Sequence, residues 1–164
     1  MNRIAMPLQR TWCAIEHALQ TLQPAGALAA RLYLAQVFFL AGLTKIRDWD
    51  TTLLLFTEEY QVPLLPPAWA AVSGTTGELV LPVLLVLGLG GRFAALGLSV
   101  VNAVAAISLP DIAPAAWQQH LTWGALLAAL ALSGPGSWSV DRLRTSLRRR
   151  GEAMAAPAGP PGMN

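Results

Sequence analysis

The chain has 164 residues, 54% of them of apolar type and only 12% charged, with a mean hydropathy of +0.48. An ordinary soluble domain carries roughly 25% charged residues, and a disordered chain is poor in apolar ones, so both classes are excluded. A net charge of +2 without a basic stripe, and a lone Cys13, likewise exclude a nucleic-acid binder and a disulfide-stapled fold; what remains is one integral membrane domain.

In chain order, the first element is a segment over residues 1–24. Leu8, Trp12, Ile15, Leu19 and Leu22 recur at intervals of three and four, while Arg10, Glu16, His17 and Gln20 fall elsewhere. This spacing predicts an amphipathic helix in the membrane interface, closed by Pro24, or one packed under the bundle. A span needs about 20 apolar residues to cross roughly 30 Å of hydrocarbon. Charge-poor runs of that kind lie at 25–44, 68–89, 93–109 and 115–132. Lys45, Arg47, Asp48 and Asp50 mark the return to water after the first, and Asp50 is a candidate cap for a short helix through Glu59. Prolines keep the following Tyr60 to Pro67 extended. Gly90, Gly91 and Arg92 turn the chain between the second and third spans, and Pro110, Asp111 and Pro114 between the third and fourth. Short connections force antiparallel neighbours, so residues 25–143 read as an all-α, up-down-up-down four-helix membrane bundle. Residues 144–164 read as a basic run, attractive to anionic lipid, and then an Ala, Pro and Gly-rich disordered tail.

Arg3, Arg10, Arg31, Arg92, Arg142, Arg144, Arg148, Arg149 and Arg150 fall at one face, against Lys45 and Arg47 at the other. The positive-inside rule then puts both termini in the cytoplasm, and in a bacterial cell the helical fold implies the inner membrane. No compact apolar run precedes a small-residue cleavage site, so no cleaved leader is expected. Trp69, Trp117 and Trp138 fall near span ends, as interface anchors do.

Polar residues inside the spans are the main functional clue, because each is costly in hydrocarbon unless partnered. At 1.5 Å per residue from the cytoplasmic end, Gln36 and Glu78 lie at about 16 to 17 Å, Asn102 at about 14 Å and His120 at about 18 Å. If all four point inward they form a polar layer whose amides, carboxyl and imidazole can satisfy one another. Pro82, four residues after Glu78, leaves the Glu78 carbonyl without its helical partner, with small and hydroxylic residues Gly74, Thr75, Thr76 and Gly77 just before. Arg31, roughly 7 to 8 Å nearer the cytoplasm, is the candidate ion-pair partner if it bends inward. One reading of the layer is a proton-linked or quinone-headgroup site, the other a set of buried hydrogen bonds holding helices together. His17, His120 and Cys13 have neither the number nor the spacing of metal ligands, and no phosphate loop, nucleophile elbow or carboxylate pair is present.

These pieces, in this order, resemble the DoxX family of small four-span membrane proteins. The resemblance lies in RLYLAQVFFLAGLTKIRDWD with Arg31, Gly42 and Lys45, in VPLLPP, in GELVLPVLLVLGLGGRFAAL with Glu78, Gly88 and Arg92, and in GPGSWSVDRL with Gly134, Pro135, Gly136 and Asp141. It covers about Arg31 to Leu143. In the fourth span the family often has a His followed two positions later by an acid; here Leu121 and Thr122 follow His120, so no role needing that acid carries over. The resemblance implies a four-helix bundle and a diffuse function, in assemblies handling sulfur or oxidative stress. On that basis the expectation is a non-catalytic membrane subunit that anchors oxidoreductase partners in the bilayer and offers a quinone headgroup a pocket at Gln36, Glu78, Asn102 and His120. A proton-coupled small-solute or ion carrier, and a chaperone or scaffold with no small-molecule site, stay open, as does self-association. Fold alone does not choose among them.

Overall fold

The computed structural model describes residues 5–134 and 139–155, with side chains for 10–134 and 139–149. Arg3, Pro135, Gly136, Trp138 and the tail from 156 onward lie outside the described residues. The chain forms helices α1 (Ala5–Arg47), α2 (Trp49–Glu58), α3 (Pro67–Leu87), α4 (Gly91–Ser108), α5 (Pro114–Ser133) and α6 (Val140–Ala155). Helix α1 packs on α3, α3 on α4 and α4 on α5, and α5 returns to α1, closing a four-helix bundle. Its core is built from Leu34, Phe38, Leu85, Leu98, Leu127 and Leu130, with Ala94 and Ala95 letting α4 approach its neighbours closely. The outward faces are also apolar: Leu32, Leu40, Val80, Phe93, Leu96, Ile107 and Leu121 are each half exposed or more. Such a surface would be penalised in water and matches hydrocarbon. The chain is a multi-pass membrane protein.

Helices α1, α3 and α4 have the length and apolarity to cross a membrane. Helix α5 has 20 residues, enough for about 30 Å, but Gln118, Gln119 and His120 dilute its first turns. A fourth crossing therefore draws its support from α5's length and its packing on α4 rather than from apolarity.

Two segments differ from the expected layout. Pro24 does not close the N-terminal segment: α1 runs through it for 43 residues, about 65 Å if straight. Proline here removes only one helical bond, to the Gln20 carbonyl, and the good helix formers on either side carry the helix on. At the other end, α6 continues through Ala155, so the basic run is helical. Ser139 Oγ accepts from Arg142 N at 3.2 Å and supplies the N-terminal cap.

The α3–α4 turn needs glycine. Gly88 (φ 66°) and Gly90 (φ 56°) both adopt the left-handed conformation, which side-chain-bearing residues avoid. The start of α6 sits on this turn, with Asp141 N donating to the Gly88 carbonyl and Asp141 Oδ2 accepting from Gly91 N, both at 3.3 Å.

Candidate functional site

At the opposite end of the bundle, α2 and the loop after it fold over the ends of α1, α3 and α4. The α1–α2 corner is tied by the buried Thr52 hydroxyl, which lies 3.0 Å from the Lys45 carbonyl and 2.9 Å from that of Asp48. Asp48 caps α2 by accepting from Thr51 N at 3.1 Å. Phe56 packs with Ala70 and Ala71 at the start of α3, and Gln61 N donates to the Ser108 carbonyl at 2.8 Å, joining the loop to the end of α4. Beneath this cover is a cavity of about 550 Å³, within the range of small-molecule sites. Its walls are mainly apolar, from Phe56, Val62, Val100, Val101, Val104 and Trp123, and its polar groups are few: Lys45, Tyr60, Ser73, Glu78, Ser108 and His120.

Glu78 is buried, and both its carboxylate oxygens accept from Lys45 Nζ. The Lys45 side chain is 23% exposed and that of Glu78 7%. An ion pair buried to this degree persists only when well made, since each charge alone would be expensive. Close approach of α1 to α3 permits it: a Cβ at Gly42 would lie 2.9 Å from Leu79 Cγ and 3.1 Å from Glu78 Cβ. One turn before Glu78, the buried Thr75 hydroxyl has no hydrogen-bond partner among the described residues. Tyr60 meets Phe56 edge-on, ring centres 5.0 Å apart. Burial first, then the nearby carboxylates of Glu59 and Glu78, push its phenol above the ordinary tyrosine range, so it stays a hydroxyl.

Across the cavity, Asn102 and His120 form a two-point contact. Asn102 Nδ2 donates to the His120 carbonyl at 2.9 Å, and His120 Nδ1 lies 2.8 Å from Asn102 Oδ1. The ring edge meets Trp123 at 5.1 Å between centres, and Trp123 Nε1 donates to the Tyr33 hydroxyl at 3.1 Å. A Cβ at Gly124 would lie 3.4 Å from Asn102 Nδ2, so glycine leaves the amide its space.

The structure thus brings Glu78 and His120 to one cavity, with Asn102 holding His120, and leaves out Gln36 and Arg31. Gln36 is exposed on the outside of the bundle, in a shallow groove with Leu32, Phe39, Pro82 and Val83. The expected partnership of Arg31 with Glu78 is also corrected. Because α1 continues to Arg47, Gly42 rather than Gln36 lies level with Glu78, and Arg31 lies about 16 Å along the helix from Gly42, buried near the other end. Lys45, read from sequence as the end of the span, is the residue that pairs with the acid. Its position one helical turn after Gly42, with a long stem that can reach back along the helix, is the signal that could have found it.

Of the remaining motif positions, Gly88, Arg92, Gly134 and Asp141 are described and gather at the α3–α4 turn. Gly88 and Asp141 bond to each other's segments there, and a Cβ at Gly134 would lie 3.2 Å from Arg92 Nε. Among the described residues, no group of three or more His, Cys, Asp or Glu could hold a metal ion.

A helical membrane bundle with a polar-ended cavity defines the class. The DoxX family model matches residues 26–111, more than half of the chain, and the protein belongs to the DoxX family. No curated protein and no solved structure matches.

Proposed function

We propose that this DoxX-family chain is a non-catalytic inner-membrane subunit of a redox assembly, sulfur- or oxidative-stress-related, that anchors partner proteins and receives a quinone headgroup. The observation that carries this reading is the cavity: an apolar chamber of about 550 Å³ with the Lys45–Glu78 pair, the Tyr60 hydroxyl and the Asn102-held His120 on its walls. The donor set suits a flat ring with oxygens at its edge. The valine, phenylalanine and tryptophan walls suit the ring faces, and a few polar groups suffice to orient it. Lys45 has two N–H groups on Glu78 and a third left to donate; Tyr60 can donate or accept. A quinone held there would supply two-electron, two-proton redox chemistry. The chain's own part is to bind, orient and exclude water. Positive-inside placement puts both termini and the α3–α4 turn in the cytoplasm and the cavity near the far face.

Equilibrium binding of a short-chain quinone to the detergent-purified protein tests this directly. Saturable binding is expected, weakened about tenfold by Glu78→Gln through loss of Lys45 orientation, with redox subunits or native quinone recovered from gentle-detergent preparations. Absence of saturable binding by both the quinone and its hydroquinone overturns the quinone site.

A further inference from the structure

The Asn102–His120 contact fixes where a hydrogen must sit. A backbone carbonyl only accepts, so the atom of the Asn102 amide facing the His120 carbonyl at 2.9 Å is the NH2 group. The other amide atom, Oδ1, therefore faces His120 Nδ1 at 2.8 Å. An amide oxygen also only accepts, so Nδ1 carries the hydrogen. In the neutral ring the second nitrogen, Nε2, is then a bare lone pair, and no described residue is bonded to it. The Trp123 ring on one side and the amide on the other set the imidazole's orientation on the cavity wall.

We propose that His120 presents the cavity with a nitrogen that can only accept a hydrogen bond and that the site therefore selects the reduced, dihydroxy form of the ring ligand over the oxidised quinone. This rests on the quinone reading above. A hydroquinone hydroxyl can donate to Nε2, whereas a quinone carbonyl would set lone pair against lone pair between mainly apolar walls, where an unmade bond is costly. Lys45 and Tyr60, on the same cavity, are available to the second oxygen, and since a lysine donor serves either form, discrimination falls to His120. Asn102 is a positioning residue, acting through the tautomer it imposes.

Two measurements test this. With His17→Gln leaving His120 as the single histidine, nitrogen NMR of the neutral ring in detergent is expected to show hydrogen on Nδ1 and a lone pair on Nε2. The opposite tautomer overturns the proposal whatever the ligand. In anaerobic binding, the reduced short-chain analogue is expected to bind about tenfold tighter than the oxidised one. His120→Phe, checked for retained helicity, is expected to abolish that preference while the oxidised form still binds. Equal binding of both forms to the wild type overturns the selection by His120 and leaves the quinone site standing. Binding of neither overturns both.

Discussion

Lys45 and Glu78 show how a charged pair behaves where water is scarce. Each side chain is acceptable because the other is present, and removing one leaves its partner buried and uncompensated, a loss of about 3 to 5 kcal/mol when burial is complete. Lys45 is 23% exposed, so Lys45→Met is expected to cost about 3 kcal/mol in denaturant titrations of the micellar protein, and Lys45→Met with Glu78→Leu to regain most of it. A double variant as unstable as the single one would show that the pair contributes more than mutual compensation. Glu78, Asn102 and His120 could be singled out in the sequence, because polar groups in charge-poor runs stand out by their cost. Gln36 stood out equally and lies outside the site, since depth along a helix carries no information about azimuth. Leu34, Ala35 and Phe38 face inward, and Gln36 between them does not. Lys45 was hidden for a different reason: hydropathy treats any lysine as the edge of a span, while its stem lets the ammonium reach back to an acid.

Among the elements, two glycine contacts on α1 and the α3–α4 turn differ in what they tolerate. A Cβ at Gly42, where the backbone is ordinary helix, would lie 2.9 Å from Leu79 Cγ and 3.1 Å from Glu78 Cβ, so α1 and α3 must shift slightly to admit it. At Gly88 a Cβ would lie 2.6 Å from Ser139 Cβ and 3.0 Å from its Cα, with φ at 66°, so neither the neighbour nor the backbone can give. Gly88→Ala is therefore expected to cost roughly 2 to 3 kcal/mol and Gly42→Ala about 1 kcal/mol, by thermal unfolding in detergent. Reversed order would mean that α6 is free to leave the turn. Helix α2 carries a pH dependence. Hydrogen bonds from Thr51, its side chain first and then its backbone N–H, hold the Asp48 carboxyl below the ordinary aspartate range, so its contribution is complete above the unfolded pKa of about 4 and is lost as pH falls through the lower folded value. Asp48→Asn caps equally well and does not titrate, so it is expected to lessen the decline in thermal midpoint on the acid side relative to the wild type. The bundle helices could be read from apolar run lengths, but α1's passage through Pro24 could not, because a single proline costs one bond and long flanking helix can bear it.

For the whole molecule, the two ends have different work. One end gathers Gly88, Arg92, Gly134 and Asp141 into a packed joint under α6, and the other holds the cavity. The positive-inside reading puts the joint and exposed Cys13 on the cytoplasmic side. An impermeant maleimide is thus expected to label Cys13 in inverted vesicles and not in right-side-out cells, and Glu58→Cys in a Cys13→Ser chain to give the opposite pattern. Cys13 labelled from outside would reverse the orientation and place the cavity near the cytoplasm. The most direct test of the central claim is to irradiate the purified protein with a photoreactive short-chain quinone and map the adducts by mass spectrometry. Adducts on cavity residues such as Tyr60, Ser73 and Trp123, suppressed by excess unlabelled hydroquinone, are expected. Adducts confined to the outer groove around Gln36 and Pro82 would contradict the account and return the polar cavity to a structural role.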